Sequence, residues 1–363
     1  MNKSRKRKIS LASAPWTMQE FFAGSGLVAY GLKGMFKPIW ANDISEKKAE
    51  IYKSNFPSRH FVLGDIKDLR GNDIPFAHLS WASFPCQDLS LAGTMEGING
   101  LRSGLVWEWL RILGEMEQTP SILLIENVAG LLSARSGENY IRLHTALSDI
   151  GYRCGAMLID AIDFLPQSRP RVFVLAVKED VIIPENLMSN GPNWLHNESA
   201  KVLGNKLDNW IWWSAKKPPK SKKQIKDIID TSLPYDKDNV LRLLSTRHQE
   251  ILDSFDEIVT TGYRRTRNGE QTLELRFDGV AGCLRTPEGG SSKQFIIVKK
   301  DDTAHARFIS AREAARLMGV PDSFELTESS NIGYKAMGDA VARPVARFIG
   351  KNLLLPLAEV IYD

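Results

Sequence analysis

Two short motifs supply side chains that could take part in covalent and proton-transfer chemistry. The first is Phe84-Pro85-Cys86-Gln87, in which a thiolate at Cys86 would be a strong nucleophile if its pKa is lowered. The second is Glu126-Asn127-Val128, which follows the apolar run 122–125. Burial there would raise the pKa of Glu126 and let the carboxyl hold or give a proton near neutrality. The simpler interpretations are a half-buried structural cysteine and an acid that caps a helix.

A third motif, Gln167-Ser168-Arg169-Pro170-Arg171, contains two arginines two positions apart. If this segment opens a strand, Arg169 and Arg171 point to the same side of the sheet. The alternative is a pair of solvated surface charges.

A fourth group of residues could bind a nucleotide-like ligand. The turn Phe22-Ala23-Gly24-Ser25-Gly26 follows a predicted strand, and Asp43 and Asp65 end the next two. Glycines let the backbone approach a ligand closely, while the start of the following helix offers free N–H groups. Asp43 is placed to accept hydrogen bonds from ribose hydroxyls, and Asp65 from an adenine amino group. The alternative is a tight turn with two capping acids, and the full G-x-G-x-x-G pattern is absent.

The elements that must position these motifs are short strands and helices. Apolar runs alternate with helical patterns along residues 17–180, which is typical of a parallel, doubly wound sheet. The predicted strands cover residues 17–22, 38–42, 60–63, 79–84, 121–125, 153–159 and 171–177. The predicted helices cover residues 27–36, 45–56 with Ser45 as the N-cap, 105–117, 140–150, 310–318 and 340 to about 360. Further strands are predicted at 272–277 and 295–298.

Length and composition limit the class of protein. The chain has 363 residues, of which 43% are hydrophobic and 25% charged, as in an ordinary soluble globular protein. Three cysteines are too few for a disulfide scaffold and favour a reducing compartment. The length predicts a catalytic domain over 1–180, with a basic arm at 1–14, and a second domain over 181–330. Residues 331–363 are expected to form a C-terminal helix that returns to the first domain.

Positive charge is concentrated in the N-terminal tail and in the second half of the chain, although the net charge is only +4. Residues 1–8 contain five basic and no acidic residues. Residues 201–250 contain eleven basic and six acidic residues, and residues 261–307 contain nine and six. This distribution favours a polyanionic partner such as nucleic acid. Solvated surface charge with a flexible tail is the alternative.

Taken together, the motifs resemble those of the cytosine-5 DNA methyltransferases, in the same order and over nearly the whole chain. The glycine turn resembles the cofactor loop, the Cys86 motif the nucleophile motif, and the Glu126 motif the acid motif. Gln167-x-Arg169-x-Arg171 resembles the arginine motif. Residues 307–318 resemble the motif that follows the recognition domain, and Gly338-Asp339-Ala340-Val341 resembles the last motif, which closes the cofactor pocket.

The resemblance implies an α/β fold, with a doubly wound, Rossmann-like methyltransferase sheet and a smaller, irregular, β-containing target-recognition domain. It also implies S-adenosyl-L-methionine as the cofactor. The cofactor-binding residues implied by the matching are Phe22, Ala23, Gly24, Ser25, Gly26, Leu27, Asp43, Ile44, Asp65, Ile66, Pro85, Leu105, Asp339, Ala340 and Val341. The chain departs from the family at Ile44, where an aromatic residue is common, and at Asp339, where asparagine is common.

The implied reaction is sequence-specific methylation of carbon 5 of a cytosine that is flipped out of double-stranded DNA. Cys86 would add to carbon 6, and Glu126 would protonate or hydrogen-bond ring N3. Arg171 would donate to the base carbonyl and orient Glu126, with Arg169 assisting.

DNA contacts are expected mainly from the second domain, where arginines can read guanine. Cys283-Leu284 stands where the family often has Thr-Leu. The four tryptophans at 194, 210, 212 and 213 are interpreted as a local core rather than as stacking platforms. The expected DNA-binding residues are Gln87, Ser90, Tyr263, Arg264, Arg265, Arg267 and Arg285.

The remaining expectations concern the setting of the enzyme. A cytoplasmic, bacterial nucleoid-associated monomer is expected, with no membrane partner and no metal site. A cognate restriction endonuclease is possible without a stable complex. The alternatives are a tRNA cytosine-5 methyltransferase, a non-catalytic nucleic-acid-binding relative and a dinucleotide-dependent oxidoreductase. The basic segment 181–305 argues against the first alternative, the catalytic side chains against the second, and the incomplete glycine pattern against the third.

Overall fold

The chain forms two compact units, each built from segments that are separate in sequence. The computed structural model describes residues 8–10, 14–85, 104–267, 269–285 and 293–362. The first unit comprises residues 1–159, 170–217 and 345–363, and the second comprises residues 160–169 and 218–344. Within the described ranges, no helix is long and apolar enough to cross a membrane.

These boundaries differ from those predicted at residues 180 and 330. Residues 181–217 belong to the first unit, because Trp213 is fully buried and its Nε1 donates to the carbonyl of Leu175 at 3.0 Å. Residues 331–344 belong to the second unit, where the hydroxyl of Tyr334 accepts from the backbone N–H of Gln294 at 3.3 Å. These boundaries depend on contacts between segments that are far apart in the sequence. Amino-acid composition therefore does not predict them.

Among the described residues, the first unit contains a seven-stranded sheet. Its strands are β1 (Trp16–Phe21), β2 (Phe36–Asp43), β3 (Phe61–Leu63), β4 (Leu79–Ala82), β5 (Ile122–Val128), β6 (Tyr152–Asp160) and β7 (Pro170–Lys178). Their order in the sheet is β3-β2-β1-β4-β5-β7-β6. The order reverses between β1 and β4, so the carboxyl ends of these two strands flank the crevice where open α/β sheets bind ligands.

The strands from β1 to β5 pair in parallel, as predicted, whereas β7 runs antiparallel to β5. The predicted parallel sheet therefore contains one antiparallel pair, β5 with β7. A parallel crossover needs about a dozen or more residues, and only residues 161–169 separate β6 from β7. The antiparallel register pairs Val128 with Arg171, which places the acid and arginine motifs on neighbouring strands.

Helices connect most of these strands. They are α1 (Leu27–Gly31), α2 (Glu46–Asn55), α3 (Leu105–Glu115), α4 (Gly130–Ser133), α5 (Glu138–Asp149), α6 (Glu198–Gly204), α7 (Thr246–Asp253), α8 (Ala311–Leu317), α9 (Ser330–Asp339), α10 (Arg343–Ile349) and α11 (Leu355–Tyr362). Ser45 caps α2 as predicted, since its hydroxyl accepts from the N–H of Lys48. The helix predicted over 27–36 stops at Gly31, because Gly34 has a φ of 85° and β2 begins at Phe36. The helix predicted from 340 begins at Arg343, and a π-helical turn at 350–354 joins α10 to α11.

The four tryptophans do form a local core in the first unit. Trp213 is fully buried, and the rings of Trp210 and Trp212 lie 5.4 Å apart. The ring of Trp210 also contacts Tyr140 at 5.5 Å, and the Nε1 of Trp194 donates to the carbonyl of Ala215 at 2.7 Å. These contacts confirm the structural interpretation of the tryptophans.

In the described residues of the second unit, four strands form an antiparallel sheet in the order β11-β10-β8-β9. They are β8 (Glu257–Arg267), β9 (Glu270–Arg276), β10 (Phe295–Lys300) and β11 (Thr303–Phe308). The predictions at 272–277 and 295–298 correspond to β9 and β10. β8 and β11 were not predicted, since their polar and basic residues mask the apolar alternation that identifies a strand.

Candidate functional site

The glycine turn at the end of β1 is a tight backbone loop. Phe22, Gly24 and Gly26 have φ angles of 59°, 55° and 82°, which lie in the left-handed region that favours glycine. A Cβ on Gly26 would lie 2.6 Å from Cε2 of Phe56, so no larger residue fits. Because Gly26 has no side chain, a ligand can approach the backbone atoms of the turn at this position.

Asp43, at the end of β2, is bound to this turn. One carboxylate oxygen accepts from the N–H of Gly24 and the other from the N–H of Ser45, each at 2.8 Å. A carboxylate oxygen has two lone pairs, so each keeps one for a ligand hydroxyl. Asp43 thus holds the turn in place and remains able to accept hydrogen bonds.

The neighbouring strand end carries the second predicted acid. The Oδ1 of Asp65 accepts from the N–H of Lys67 at 3.0 Å and caps the 3-10 turn Ile66–Asp68. Asn42, which the sequence did not indicate, donates from Nδ2 to the carbonyls of Val62 and Gly64 at 3.0 and 2.9 Å. This amide fixes the end of β3 beside β2.

An exposed apolar surface adjoins these acids. Ile44 is 67% exposed and Leu63 is 43% exposed, and Leu63 pairs in register with Asp43. Large apolar side chains exposed together at strand ends are suited to contact with a ligand.

Glu20 is a further residue beside the glycine turn, and none of the sequence motifs includes it. Its side chain is 1% exposed, it accepts a hydrogen bond from the N–H of Ala29, and its Oε2 has no partner among the described residues. Burial, and then the charge of Asp43, raises the pKa of Glu20 to about 8. The hydroxyl of Ser25, in the turn itself, is also buried without a partner within the described part of the chain. The available signal was an acid inside an apolar strand directly before a glycine turn.

The backbone leading to the cysteine motif is anchored by the acid motif. Asn127 is 3% exposed, and its Nδ2 donates to the carbonyl of Phe84 at 3.1 Å. Its Oδ1 accepts from the N–H of Val128 at 2.8 Å. The bond is possible because β4 and β5 are parallel neighbours with Ala82 opposite Ile125. Pro85, the last described residue before the cysteine, is exposed.

Glu126 and Arg171 form an ion pair on neighbouring strands. The Nε of Arg171 lies 3.1 Å from Oε1 of Glu126, and their side chains are 15% and 9% exposed. Because Val128 is opposite Arg171, Glu126 is the diagonal neighbour on the same face of the sheet. The pair thus presents a carboxylate whose position a guanidinium fixes.

Arg169 has a different environment. It is 2% exposed, and its guanidinium donates to the carbonyls of Leu284, Gly338 and Ala340 at 2.9, 2.8 and 2.7 Å. Arg169 directly precedes β7 and so lies outside the strand that carries Arg171, and the two guanidinium groups have different partners. Arg169 and all three acceptors belong to the second unit, where the guanidinium binds main-chain carbonyls.

The remaining predicted cofactor residues lie in both units. In the first unit, Leu105 is half-buried at the start of α3. In the second unit, Asp339 ends α9 and is exposed, Ala340 is half-buried and Val341 is buried.

The predicted DNA-reading residues of the second unit cluster around one aromatic ring. The guanidinium carbons of Arg265 and Arg285 lie 5.3 and 5.9 Å from the centre of the Tyr263 ring. The Nε of Arg265 lies 3.7 Å from a carboxylate oxygen of Glu274. Arg264 is half-buried, and its Nε has no hydrogen-bond partner among the described residues. Two cations on one tyrosine form a compact positive surface.

The sequence analysis also assigned four residues that the structure does not describe in full. Cys86, Gln87 and Ser90 lie outside the described residues, and so does the side chain of Arg267.

The arrangement in the first unit is typical of nucleotide-binding α/β enzymes: a doubly wound sheet has a glycine turn at its switch point, and the adjacent strand β4 leads toward the cysteine motif in the sequence. Comparison with known proteins is more specific. The chain belongs to the C-5 cytosine-specific DNA methylase family, whose model matches residues 16–355. It therefore transfers a methyl group from S-adenosyl-L-methionine to carbon 5 of cytosine in DNA, the reaction of this family.

Similar proteins cover almost the whole chain. The type II methyltransferase M.FnuDI of Fusobacterium nucleatum is 27% identical over 343 residues, covering 92% of each chain. M.HhaI of Haemophilus parahaemolyticus is 24% identical over 342 residues, covering 92% of this chain and 93% of its own. The crystal structure of the S. pombe Dnmt2 methyltransferase has a TM-score of 0.59 at 18% identity and covers 96% of this chain and 100% of its own. This structural similarity confirms the predicted fold class.

Proposed function

We propose that the protein is a sequence-specific, type II DNA methyltransferase of a restriction–modification system, and that Cys86 forms a covalent bond to the target cytosine. The observation that carries the proposal is the ion pair between Glu126 and Arg171, at 3.1 Å. Glu126 lies on β5, which is next to β4, the strand that precedes Cys86 in the sequence. Asn127 on β5 bonds to the backbone at the end of β4. A nucleophile and a positioned acid at adjacent strand ends are what cytosine activation requires.

The residues around the glycine turn fit S-adenosyl-L-methionine. Oε2 of Glu20 and Oγ of Ser25, which have no hydrogen-bond partner among the described residues, are buried polar atoms that can bind a polar cofactor, and Gly26 admits close backbone approach. Asp43 would accept from the ribose hydroxyls, and Asp65 from the adenine amino group. When bound, the cofactor supplies a methyl group on a positively charged sulfur. The other residues assigned to the cofactor are Phe22, Ala23, Gly24, Leu27, Ile44, Ile66, Pro85, Leu105, Asp339, Ala340 and Val341.

Cys86 is assigned the nucleophilic step. Its thiolate forms an S–C6 bond with cytosine, and the ring then carries enough electron density at carbon 5 to take the methyl group. Carbon 5 next loses its proton to a base. The electron pair of that C–H bond restores the ring double bond and expels the Cys86 thiolate, so the enzyme is regenerated.

Glu126 and Arg171 are assigned to the base itself. The carboxyl of Glu126 protonates or hydrogen-bonds ring N3, which offsets the charge that develops when the thiolate adds. Arg171 holds that carboxyl at 3.1 Å and donates to the carbonyl oxygen of the base. These contacts require a cytosine that has left the duplex.

The second unit is assigned to sequence reading. Arg265 and Arg285 on the Tyr263 ring supply the cations for base edges or phosphates, with Arg264 beside them in sequence. Gln87, Ser90 and Arg267 are assigned to DNA by the motif matching. We further propose a cytoplasmic monomer whose cognate endonuclease acts without a stable complex.

Methyl transfer separates this proposal from its alternatives. The full chain is incubated with methyl-labelled cofactor and either plasmid DNA or tRNA, and the modified cytosines are located by bisulfite sequencing. Label in DNA at one recurrent sequence is the expected result. Label in tRNA alone would overturn the proposal.

A trapped adduct tests the role of Cys86. Cytosine with fluorine at carbon 5 cannot lose a proton there, so a covalent complex should accumulate and survive denaturing electrophoresis. Cys86→Ala should form none. Cys154→Ser is the matched control, because Cys154 is buried in the core and bonded to His144, and it should form the adduct as the wild type does. An adduct with Cys86→Ala would refute the assignment.

A further inference from the structure

Residues 282–284, here called the recognition segment, have no regular strand or helix, and side chains satisfy their backbone. Gln294 is fully buried and bonds both polar groups of Gly282. The N–H of Gly282 donates to Oε1 at 2.9 Å, and Nε2 donates to the carbonyl at 2.8 Å. The N–H of Gln294 itself donates to the hydroxyl of Tyr334 at 3.3 Å. The side-chain amide of Gln294 thus makes the two hydrogen bonds to Gly282 that a neighbouring β-strand would otherwise make.

The other end of the recognition segment is held in the same way. The N–H of Leu284 donates to Oε1 of Gln167 at 3.2 Å, and its carbonyl accepts from Nη1 of Arg169 at 2.9 Å. The hydroxyl of Tyr263 donates to the carbonyl of Cys283. Burial raises the pKa of that hydroxyl well above its usual value, so it remains a donor. Five of the segment's backbone groups therefore end on these four side chains.

The residues that hold the segment are themselves fixed. Gln167 is fully buried, and its Nε2 donates to the carbonyl of Leu317 at 2.7 Å. The backbone beside it exchanges two bonds with Ala281: the N–H of Ala281 donates to Pro166 at 2.8 Å, and the carbonyl accepts from Ser168 at 2.9 Å. Buried polar groups are costly unless they are satisfied. A network of this density indicates that the conformation of the segment matters.

The segment leads directly into the positive surface. Arg285 follows Leu284, and its guanidinium lies 5.9 Å from the centre of the Tyr263 ring, whose hydroxyl holds the segment. A Cβ on Gly282 would lie 2.7 Å from Cε2 of the same ring, so glycine is required there. Tyr263 therefore fixes both the backbone and the cation that follows it.

We propose that Gln167, Arg169, Tyr263 and Gln294 are positioning residues for sequence reading: they hold the recognition segment so that Arg285 meets DNA in one orientation. This inference rests on the proposed function, which assigns Arg285 to DNA. A guanidinium discriminates between bases only when its two donors are correctly aimed, and a good bidentate pair is worth about 1–3 kcal/mol of discrimination. Loss of the segment's bonds should therefore reduce discrimination more than it reduces turnover.

The test compares cognate and near-cognate DNA. The cognate sequence is taken from bisulfite sequencing of methylated plasmid, and kcat and KM are measured on it and on its single-base-pair variants. Gln294→Met keeps similar volume but loses both bonds to Gly282. For this protein variant, we expect the ratio of kcat/KM on the cognate sequence to kcat/KM on a single-base-pair variant of that sequence to fall about tenfold. The change should come mainly through KM. Tyr263→Phe, which removes one hydroxyl and keeps the ring, should give a smaller fall in the same direction and serves if Gln294→Met does not fold.

A stability control separates positioning from general loosening of the second unit. Leu252→Ala removes a buried side chain of α7, and the hydrophobic cluster to which Leu252 belongs includes none of residues 282–284. It should lower the melting temperature without changing discrimination. Hydrogen exchange gives a second readout, since the amide of Gly282 should exchange faster in Gln294→Met while the amides of β8 and β10 remain protected.

The outcomes are distinct. If the wild type methylates no DNA, the proposed function fails. If the wild type discriminates between sites, but both variants discriminate equally well, the inference alone fails. Equal loss of discrimination in Leu252→Ala would also overturn it.

Discussion

The side-chain amide of Asn127 donates to the carbonyl oxygen of Phe84, with 3.1 Å between Nδ2 and O. The acceptor lies two residues before Cys86 in the chain, and the donor directly follows Glu126. One hydrogen bond therefore links the backbone on the nucleophile side to the strand that carries the acid.

Asn127→Asp should slow methyl transfer. The variant keeps the shape of the side chain but turns the donor into an oxygen that faces the Phe84 carbonyl. An unmade bond of this kind at a buried site costs about 1–3 kcal/mol, so the single-turnover rate should fall by about 5- to 150-fold. DNA affinity, measured by gel shift, should change by less than about threefold. An unchanged transfer rate would show that the Phe84 carbonyl needs no anchor.

Glu126 and Arg171 should behave as one unit in a double-mutant cycle. Each single change, Glu126→Gln or Arg171→Gln, leaves the other member of a buried ion pair without its partner. The double variant should therefore lose less transfer rate than the product of the two single losses, with a coupling of at least about 1 kcal/mol. Single-turnover rates of the four proteins give the coupling. Additive losses would mean that the pair does not act together.

Glu20→Gln should change how stability depends on pH. Burial raises the pKa of Glu20 from 4.5 to about 8, and the neighbouring Asp43 adds to the shift. The folded state binds the extra proton between these values, so this group's contribution to stability is complete below pH 4.5 and is lost as pH rises through 8. The variant, which has no charge to bury, should gain unfolding free energy relative to the wild type between about pH 5 and about pH 9. Urea denaturation of the full chain at both pH values measures the difference, and a gap independent of pH would contradict the prediction.

Glu313→Ala should destabilise the protein strongly. Glu313 and Arg307 are 1% and 3% exposed and bond at 2.7 Å, and Glu313 also accepts from the N–H of Asp230 at 2.8 Å. Removing one member of a buried pair typically costs about 3–5 kcal/mol. The double variant Arg307→Met, Glu313→Leu should lose less than the single variant.

The matched control for this pair is an exposed one in the same unit. Arg316 and Asp322 bond at 2.7 Å with side chains 27% and 60% exposed. Asp322→Ala should therefore cost less than about 1 kcal/mol. Urea denaturation compares the variants, and equal losses for Glu313→Ala and Asp322→Ala would refute the importance of burial.

The sequence predicted those features that depend on the local pattern of the chain. The glycine turn, Asp43, Asp65 and Glu126 were located because each follows an apolar run, and the carboxyl ends of parallel strands meet at one edge of a sheet. Ser45 was identified as a cap because its side chain acts on its own helix. These predictions needed no knowledge of distant contacts.

Features that depend on distant contacts were missed. Arg169 was grouped with Arg171 from their spacing, but its acceptors lie more than a hundred residues away at Leu284 and beyond. Gln294 had no local signal, since a glutamine in a polar stretch is ordinary. β7 is reversed because it follows β6 after a short connection. The sequence does not show which strand β7 will pair with, and so its antiparallel pairing with β5 was not predicted.

The recognition segment has a consequence for how such an enzyme diversifies. The bonds that Gln167, Tyr263 and Gln294 make to it end on main-chain atoms, which are the same whatever amino acid is present. A threonine at position 283, where the family often has one, would leave these main-chain bonds intact and would change the 3.4 Å contact between Nη1 of Arg169 and the Cys283 sulfur. Apart from Gly282, where a Cβ would meet the Tyr263 ring, residues here can therefore be exchanged in evolution or by design while the hydrogen bonds that hold the main chain stay the same.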